Sequence, residues 1–453
     1  MHSPDSRSSS LDTDGDRDEH ARADWPVSKD AMATARTFLR ECAATSEPTL
    51  LLPDKDADGL CAGLILRTTL TALGLAPALI HAHFVAKGSN VHAPAERTRI
   101  ASLEPRPRFV IVADQGSRPG LPILSYPSED GGEGDSEGEV EVVRTLIVDH
   151  HLASGFPTGA LALSAAAHEP VATSSTLAYL LCAPLVREAG AEISERLEWL
   201  CVLGTMGDLG VSHKWEAPWP DMRSCARRWT KKVLGEAVAL VNAPRRTARY
   251  DVHAAWAALL SSDPARIAAP ASRSGDAHIQ RLHDARREIR VETERCGHTP
   301  PAFSGDGRVA LVRISSEAQV HPLIATRWAS TLKGSRLQIV ICANNGYIPG
   351  AQMTNFACRI ARPAPSDEQG EAICIPDVLR EYASHVPGLT ERMGDDFARG
   401  HAQASGGIVK SEDFEALWGV MRDSASPEWS GPPRKKRRME MGQKNTLEGW
   451  LKK

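Results

Sequence analysis

Acidic and histidine side chains recur in this sequence at a few short, widely separated places, with the spacing of metal ligands. Asp54-Lys-Asp56-Ala-Asp58-Gly59 sets three carboxylates at alternate positions directly after the apolar run 49–53. Carboxylates this close repel one another when half-buried, and they converge readily on hard divalent cations. The plainer reading is a solvated acidic turn with an Asp capping the next helix. Gly59 allows a tight turn. Asp114 ends a second apolar run, 109–113, and Asp149-His150-His151 ends a third, 145–148. Imidazole ligates transition metals, and a neighbouring carboxylate can orient the ring. Asp208, in Gly204-Thr-Met-Gly-Asp208-Leu-Gly210, closes an apolar helical stretch. Each place alone has a bland explanation as a cap or a turn. Together they supply the mixed oxygen and nitrogen donors that suit Mn²⁺, Mg²⁺ or Zn²⁺.

Such residues need elements to bring them together. The runs 49–53, 109–113 and 145–148 read as short buried strands. Helical periodicity covers 58–71, 177–186 and 197–206. Strand, loop and helix in repetition predict an α/β layer with a mainly parallel sheet. The acidic and histidine residues then fall at its carboxyl edge, where such sheets bind ligands. A second, smaller α/β domain is expected from strands at 308–314 and 337–342 around a helix at 322–332. The chain divides as a disordered tail over 1–27, a first domain over 28–270, a linker helix within 271–300, a second domain over 301–422, and a disordered tail over 423–453. Within the first domain, 127–140 reads as a disordered acidic insertion: its core, 128–139, holds six acidic residues, four glycines and no apolar side chain.

Composition narrows the class. At 453 residues the chain is long enough for two or three domains of roughly 100–200 residues. A formal net charge of −4 argues against a protein coated in basic charge, but not against a local basic groove. The most apolar stretch, 70–86, is broken by Pro77, His81 and His83, so no membrane span is expected. The N-terminus has no apolar core and does not read as a secretory signal. Nine scattered cysteines without a Cys-x-x-Cys pair fit reduced thiols in an intracellular protein. Arg223, Arg227, Arg228, Lys231, Lys232, Arg245, Arg246 and Arg249 form a basic stretch near Trp199, Trp215, Trp219 and Trp229. It could track a nucleic-acid backbone with Trp229 as a stacking ring; a solvated helix face with core tryptophans is the plainer reading.

The ordered set of Asp54-x-Asp56-x-Asp58-Gly59, Asp114, Asp149-His150-His151 and Asp208 resembles the DHH phosphoesterase superfamily. Ala172-Thr-Ser-Ser-Thr176 looks like the hydroxyl-rich segment found there in the family. Arg399-Gly-His401-Ala-Gln-Ala-Ser-Gly406-Gly407 resembles the glycine–histidine motif of the DHH-associated C-terminal domain, with Arg399 in place of its usual first glycine. The resemblance spans roughly 45–422 and is strongest to the RecJ-type single-strand exonucleases. It implies two divalent cations, Mn²⁺ first and Mg²⁺ second. Asp56 and Asp114, with Asp54 as a further candidate, would hold one; Asp58, Asp114, His150 and Asp208 would hold the other. Asp149 would orient the adjacent histidine and His151 would contact the scissile phosphate. Small-substrate members carry a histidine four residues before the second ligand carboxylate, where this chain has Leu52. Substrate contacts fall to His401, Gly406, Gly407 and Arg359 of the second domain, although Arg359 reads equally well as a surface strand arginine. Two cations about 3.5–4 Å apart are suited to phosphodiester hydrolysis.

The C-terminal tail carries two further signals. Arg434-Lys435-Lys436-Arg437-Arg438 reads as a nuclear localisation signal, which implies a nuclear import receptor and the nucleus. Leu447, Trp450 and Leu451 set an apolar face on one helical turn. They resemble the motif that docks on the sliding clamp PCNA, with Lys444 where that motif has glutamine and Gln443 one residue early. The leading expectation is a nuclear, metal-dependent exonuclease on single-stranded nucleic acid. A phosphodiesterase or phosphatase for oligonucleotides, cyclic dinucleotides or polyphosphate, and a non-catalytic replication scaffold, stay open. The complete ligand set counts against the scaffold.

Overall fold

The computed structural model describes residues 24–127, 140–362, 373–394 and 397–424. Most of the expected N-terminal tail, the core of the acidic insertion, and the C-terminal basic block and clamp motif lie outside the described residues.

The apolar runs become the middle of a five-stranded parallel sheet in the order β2-β1-β3-β6-β7. Its strands are β1 (Thr49–Pro53), β2 (Ile80–Ala82), β3 (Phe109–Ala113), β6 (Arg144–Asp149) and β7 (Ala160–Ser164). β4 (Ser125–Pro127) and β5 (Val140–Val142) form a separate antiparallel pair at the base of the acidic insertion. β1 and β3 are buried at every position, which is why they read as continuous apolar runs rather than alternating ones. Alternation survives in which core each side chain joins. Leu51 and Ile111 face one core; Leu50, Leu52, Val110 and Val112 face the other.

The first core is closed by α1 (Lys29–Thr45), α2 (Ala57–Ala72), α4 (Ser174–Cys182) and α5 (Ala191–Leu209), the second by α3 (Pro94–Ala101). The lobe is extended by α6 (Arg223–Trp229), α7 (Lys231–Val241), α8 (Val252–Ser261), α9 (Pro264–Ala268) and α10 (Ala271–Ser274). Packing begins earlier than the sequence suggests. Val27 is buried, Trp25 Nε1 donates to Pro170 O at 2.7 Å, and the Trp25 ring meets Trp219 edge-on at 5.4 Å. The tryptophans are core: Trp199 and Trp215 are buried, and Trp219 and Trp229 pack against the same cluster.

The connecting helix α11 (Ala277–Cys296) leads to a second sheet, ordered β12-β13-β11-β10-β9-β8. It comprises β8 (Ala302–Phe303), β9 (Val309–Ile314), β10 (Ile339–Asn344), β11 (Met353–Ile360), β12 (Arg399–His401) and β13 (Ala404–Lys410). β9 and β10 are parallel, joined by α12 (His321–Thr331); the other pairs are antiparallel. α13 (Ile375–Ser384), α14 (Leu389–Met393) and α15 (Ser411–Asp423) cover one face. The lobes touch through Lys87 Nζ, which donates to Glu317 O at 2.6 Å and lies 4.7 Å from the Tyr347 ring centre. Gln319 N also donates to Arg246 O at 2.7 Å. All nine cysteines are unpaired, and no described helix is long and apolar enough to cross a membrane.

Candidate metal centre

Strand register assembles the centre. Pro53 lies beside Ala113 and Ala113 beside Val148, so the residues that follow, Asp54, Asp114 and Asp149, emerge side by side at the carboxyl edge. Backbone bonds continue the ladder by one residue: Asp54 N to Ala113 O and Asp114 N to Val148 O, both 2.9 Å. Asp114 takes φ +62°, a left-handed conformation uncommon outside glycine but tolerated by Asp. The first turn of α2 needs Gly59, because a Cβ there would sit 2.7 Å from the Asp54 backbone.

Two ligand-like clusters share one carboxylate. Asp54, Asp56 and Asp114 offer carboxylate oxygens within 4.8 Å of one another; Asp114 and Asp149 oxygens and His150 and His151 ring nitrogens do likewise. His150 ties in the remaining expected ligands. Its Nδ1 lies 3.2 Å from Asp114 Oδ1 and 3.7 Å from Asp58 Oδ2, and its Nε2 lies 3.5 Å from Asp208 Oδ2. All six expected ligands are therefore at one place. Asp54 is also engaged by Lys55 Nζ at 2.8 Å. Asp56 caps α2 by accepting from the amides of Asp58 and Gly59 at 3.1 and 3.2 Å.

The electrostatics fit divalent cations. Burial first, then the charges of Asp208 and Asp56, push the Asp58 carboxyl up to about 6 against the pull of His150 and Ser175. Burial, followed by Asp58 and Asp56, pushes Asp114 well above the usual carboxylate range. Crowded buried carboxylates of this kind call for a cation. Asp149 behaves oppositely. Its Oδ1 accepts from His151 Nδ1 at 2.8 Å and from the His150 and His151 amides at 2.8 and 3.3 Å; its Oδ2 accepts from Ser117 N at 3.2 Å. Burial alone would raise its pKa, but the hydrogen bond and charge of His151 hold it well below the ordinary value. In return, and against burial, Asp149 raises His151 to about 9. The His151 side chain is 35% exposed, so it joins the buried carboxylates to the cleft.

Other neighbours of the centre carry no clear signal in the sequence. Arg245 Nη2 stands 3.7 Å from Asp56 Oδ2, and Asn242 Oδ1 holds both Arg245 Nε (3.0 Å) and Ala57 N (3.2 Å). The basic stretch divides here: Arg223, Arg227, Arg228, Lys231, Lys232 and Arg249 are exposed, whereas Arg245 and Arg246 turn into the cleft between the lobes. Charges on Arg246 and Asp56, on Arg246 and Arg359, and on Arg359 and His321 act on one another, linking the metal loop to the second lobe. His321, buried at the start of α12, belongs to no motif that the sequence displays.

Arg359 is on β11 as expected, and its Nη1 donates to Cys358 O at 2.8 Å. His401 pairs with Ala404 in the β12–β13 hairpin. Gly406 and Gly407 lie opposite Ala357 and Phe356; a Cβ on Gly406 would collide with Phe356 O, so strand approach alone accounts for that glycine.

Neither a family model nor a curated protein matches the sequence. Solved structures do. RecJ with Mn²⁺ from Thermus thermophilus superposes with TM-score 0.56 at 17% identity, over 86% of this chain and 54% of that one. An exonuclease RecJ bound to manganese gives 0.54 at 16% identity, over 86% and 93%. The DHH domain of a member of a ribosomal-protein family gives 0.55 at 12%, over 88% and 92%. The chain thus spans about half the length of the Thermus RecJ and nearly all of the other two. With its acidic and histidine motifs gathered at the carboxyl edge of a parallel sheet, the chain has a RecJ-like fold, shared with these exonucleases and with that DHH domain.

Proposed function

We propose that this protein is a divalent-metal-dependent phosphodiesterase that removes nucleotides from an end of single-stranded nucleic acid. The observation that carries the reading is the unmatched positive charge across the cleft from the carboxylates. Among the described residues neither Arg246 nor Arg359 pairs with a carboxylate, and Arg246 Nε and His321 Nδ1 are buried without a hydrogen-bond partner. Burial, then Arg245, pushes Arg246 down to about 9; burial, then Arg359, pushes His321 down to about 3. Buried donors of this kind are costly unless an anion meets them. A phosphate lying beyond the scissile one is the anion such a substrate supplies.

Asp56 and Asp114, with Asp54, would hold one ion, and Asp58, Asp114, His150 and Asp208 the other, so that Asp114 is shared. When bound, the ions supply Lewis-acid activation of water and charge neutralisation at the phosphate. The chain's own contributions are positional and protonic. Asp149 keeps His151 cationic at neutral pH and fixes its ring, so His151 can donate to a phosphate oxygen at the open side of the cluster. Arg246 and Arg359 hold the neighbouring part of the strand.

The test is a product profile with Mn²⁺ on end-labelled DNA and RNA single strands of several lengths. Successive shortening from one end supports the reading. Cleavage confined to dinucleotides refutes it in favour of a small-substrate phosphodiesterase. No phosphoester hydrolysis, with metal bound, favours a scaffold. Nuclear location and clamp docking through 434–438 and 444–451 belong to the same reading and stand on the sequence alone.

A further inference from the structure

The hydroxyls at the start of α4 divide into two groups. Thr173, Ser174, Ser175 and Thr176 are all buried, as is Thr205 opposite them. Buried hydroxyls are expensive unless bonded. Thr173 and Thr176 meet that demand among themselves: Thr173 Oγ1 caps the helix at Thr176 N (3.3 Å), and both hydroxyls meet Thr205 Oγ1 at 2.9 and 2.8 Å. Ser174 and Ser175 instead face the carboxylates. Ser175 Oγ donates to Asp58 Oδ1, and the amides of Ser174 and Ser175 donate to the two Asp58 oxygens at 2.8 and 3.0 Å. Ser174 Oγ donates to Asp114 Oδ1 at 2.9 Å and stands 3.0 Å from His150 Nδ1.

A serine hydroxyl has one hydrogen, and an ionised carboxylate only accepts. An Asp114 that holds an ion is ionised, so Ser174 then spends its hydrogen on Asp114 and meets His150 Nδ1 only as an acceptor, which places the ring proton on Nδ1. A histidine that ligates a metal is neutral and has a single N–H. His150 Nε2 is then the nitrogen with a lone pair, on the Asp208 side of the ring. We propose that Ser174 is a positioning residue for the metal centre: it locks His150 in the Nδ1–H tautomer, so that His150 ligates through Nε2, and it fixes the Asp114 carboxylate with the same hydroxyl. Ser175 does the corresponding work for Asp58. Ligand-orienting hydrogen bonds of this kind are worth about 10–100-fold in metal affinity.

The proposal rests on the reading that the cluster binds divalent ions, and its test separates the two. Mn²⁺ is titrated into the full-length protein, with free Mn²⁺ followed by electron paramagnetic resonance, for wild type, Ser174→Ala and Ser174→Thr. Circular dichroism checks that each is folded; alanine at this position keeps a good helix former. Ser174→Ala is expected to lose roughly 10–100-fold in affinity at one ion site, and Ser174→Thr, which restores a hydroxyl, to stay within about threefold of wild type. In protein carrying ¹⁵N-histidine, with His150→Gln locating the signal, diamagnetic Mg²⁺ should shift the His150 Nε2 resonance and leave Nδ1 protonated. Failure of the wild type to bind Mn²⁺ overturns the metal reading together with the proposal. Wild-type binding with unchanged affinity in Ser174→Ala overturns the proposal alone, as does a metal-induced shift confined to Nδ1.

Discussion

His321 makes the second lobe sensitive to acid. Its ring is buried, with Asn355, Tyr347, Arg359 and Arg246 around it, and its pKa is pushed down to about 3, by burial first and then by Arg359. The unfolded chain returns it to the ordinary value of about 6.5. A histidine depressed in the folded state contributes its full stability above the unfolded pKa and loses it as pH falls toward the folded one. The window is therefore pH 6.5 down to 3. At about pH 4.5 the unfolded ring is almost fully protonated and the folded ring is not, which weakens the fold by about 2–3 kcal/mol. His321→Gln keeps a polar side chain of similar reach but cannot titrate. Urea midpoints measured from about pH 7.5 to about 4.5 should fall more steeply for wild type than for the variant, with the gap between them changing by that amount. Parallel curves would refute the claim that this ring is held neutral. A bound phosphate should shrink the gap, because an anion at Arg359 and Arg246 offsets the charge that opposes protonation.

Other substitutions separate the roles at the centre. Asp114→Asn keeps a side chain that tolerates φ +62° but removes the charge both clusters share, and should cut hydrolysis by more than about 100-fold with unchanged circular dichroism; near-normal activity would show that Asp114 is not a ligand. Arg359→Ala should weaken binding of single strands and reduce the slope of affinity against salt by about 1, with kcat less affected than KM. Gly204→Ala drives a Cβ into Ser175 Oγ and should destabilise the first lobe by about 1–3 kcal/mol, visible in thermal melting. Deleting 443–453 should abolish retention on immobilised sliding clamp and leave hydrolysis intact; equal retention removes the docking motif from consideration.

The first lobe was legible because its strands are buried on both faces and each ends in a residue type that buried strands exclude. Leu50–Leu52, Val110–Val112 and Leu146–Val148 could only be central strands, and an Asp directly after each run marked the edge. Edge strands gave no such contrast: β2 is three residues long, and β7 is mostly half-buried. Gly204 and Gly207 looked like a turn motif around Asp208, yet both lie within α5. A Cβ on Gly207 would come within 2.7 Å of Ala57 Cβ, so the glycines let α5 approach α2 and bring Asp208 to His150. Close approach leaves no periodicity to read. Arg246 and Arg359 were singled out in the sequence, one in the basic stretch and one as a candidate substrate contact, but His321 and the proximity of the three were hidden for a different reason. They are far apart in the chain and gain meaning only from the way the lobes meet.

Where the lobes meet, charge is divided unevenly between them. The first lobe concentrates carboxylates at one edge: Asp58 and Asp114 are buried, and burial, then their neighbours' charges, raises both. The second lobe, with Arg246, brings half-buried positive charge that has no carboxylate partner among the described residues. Among the described residues Arg245 approaches Asp56, at 3.7 Å, and also donates to Asn242 and Gln319. On the proposed function, divalent ions would satisfy one side and a phosphate chain the other. A ligand with both a phosphate at the carboxylates and a second phosphate beyond it completes both halves at once, and a lone phosphomonoester completes only one. If the proposed function holds, this layout should favour substrates with at least two consecutive phosphates over a lone phosphomonoester, and equal turnover of the two would refute it.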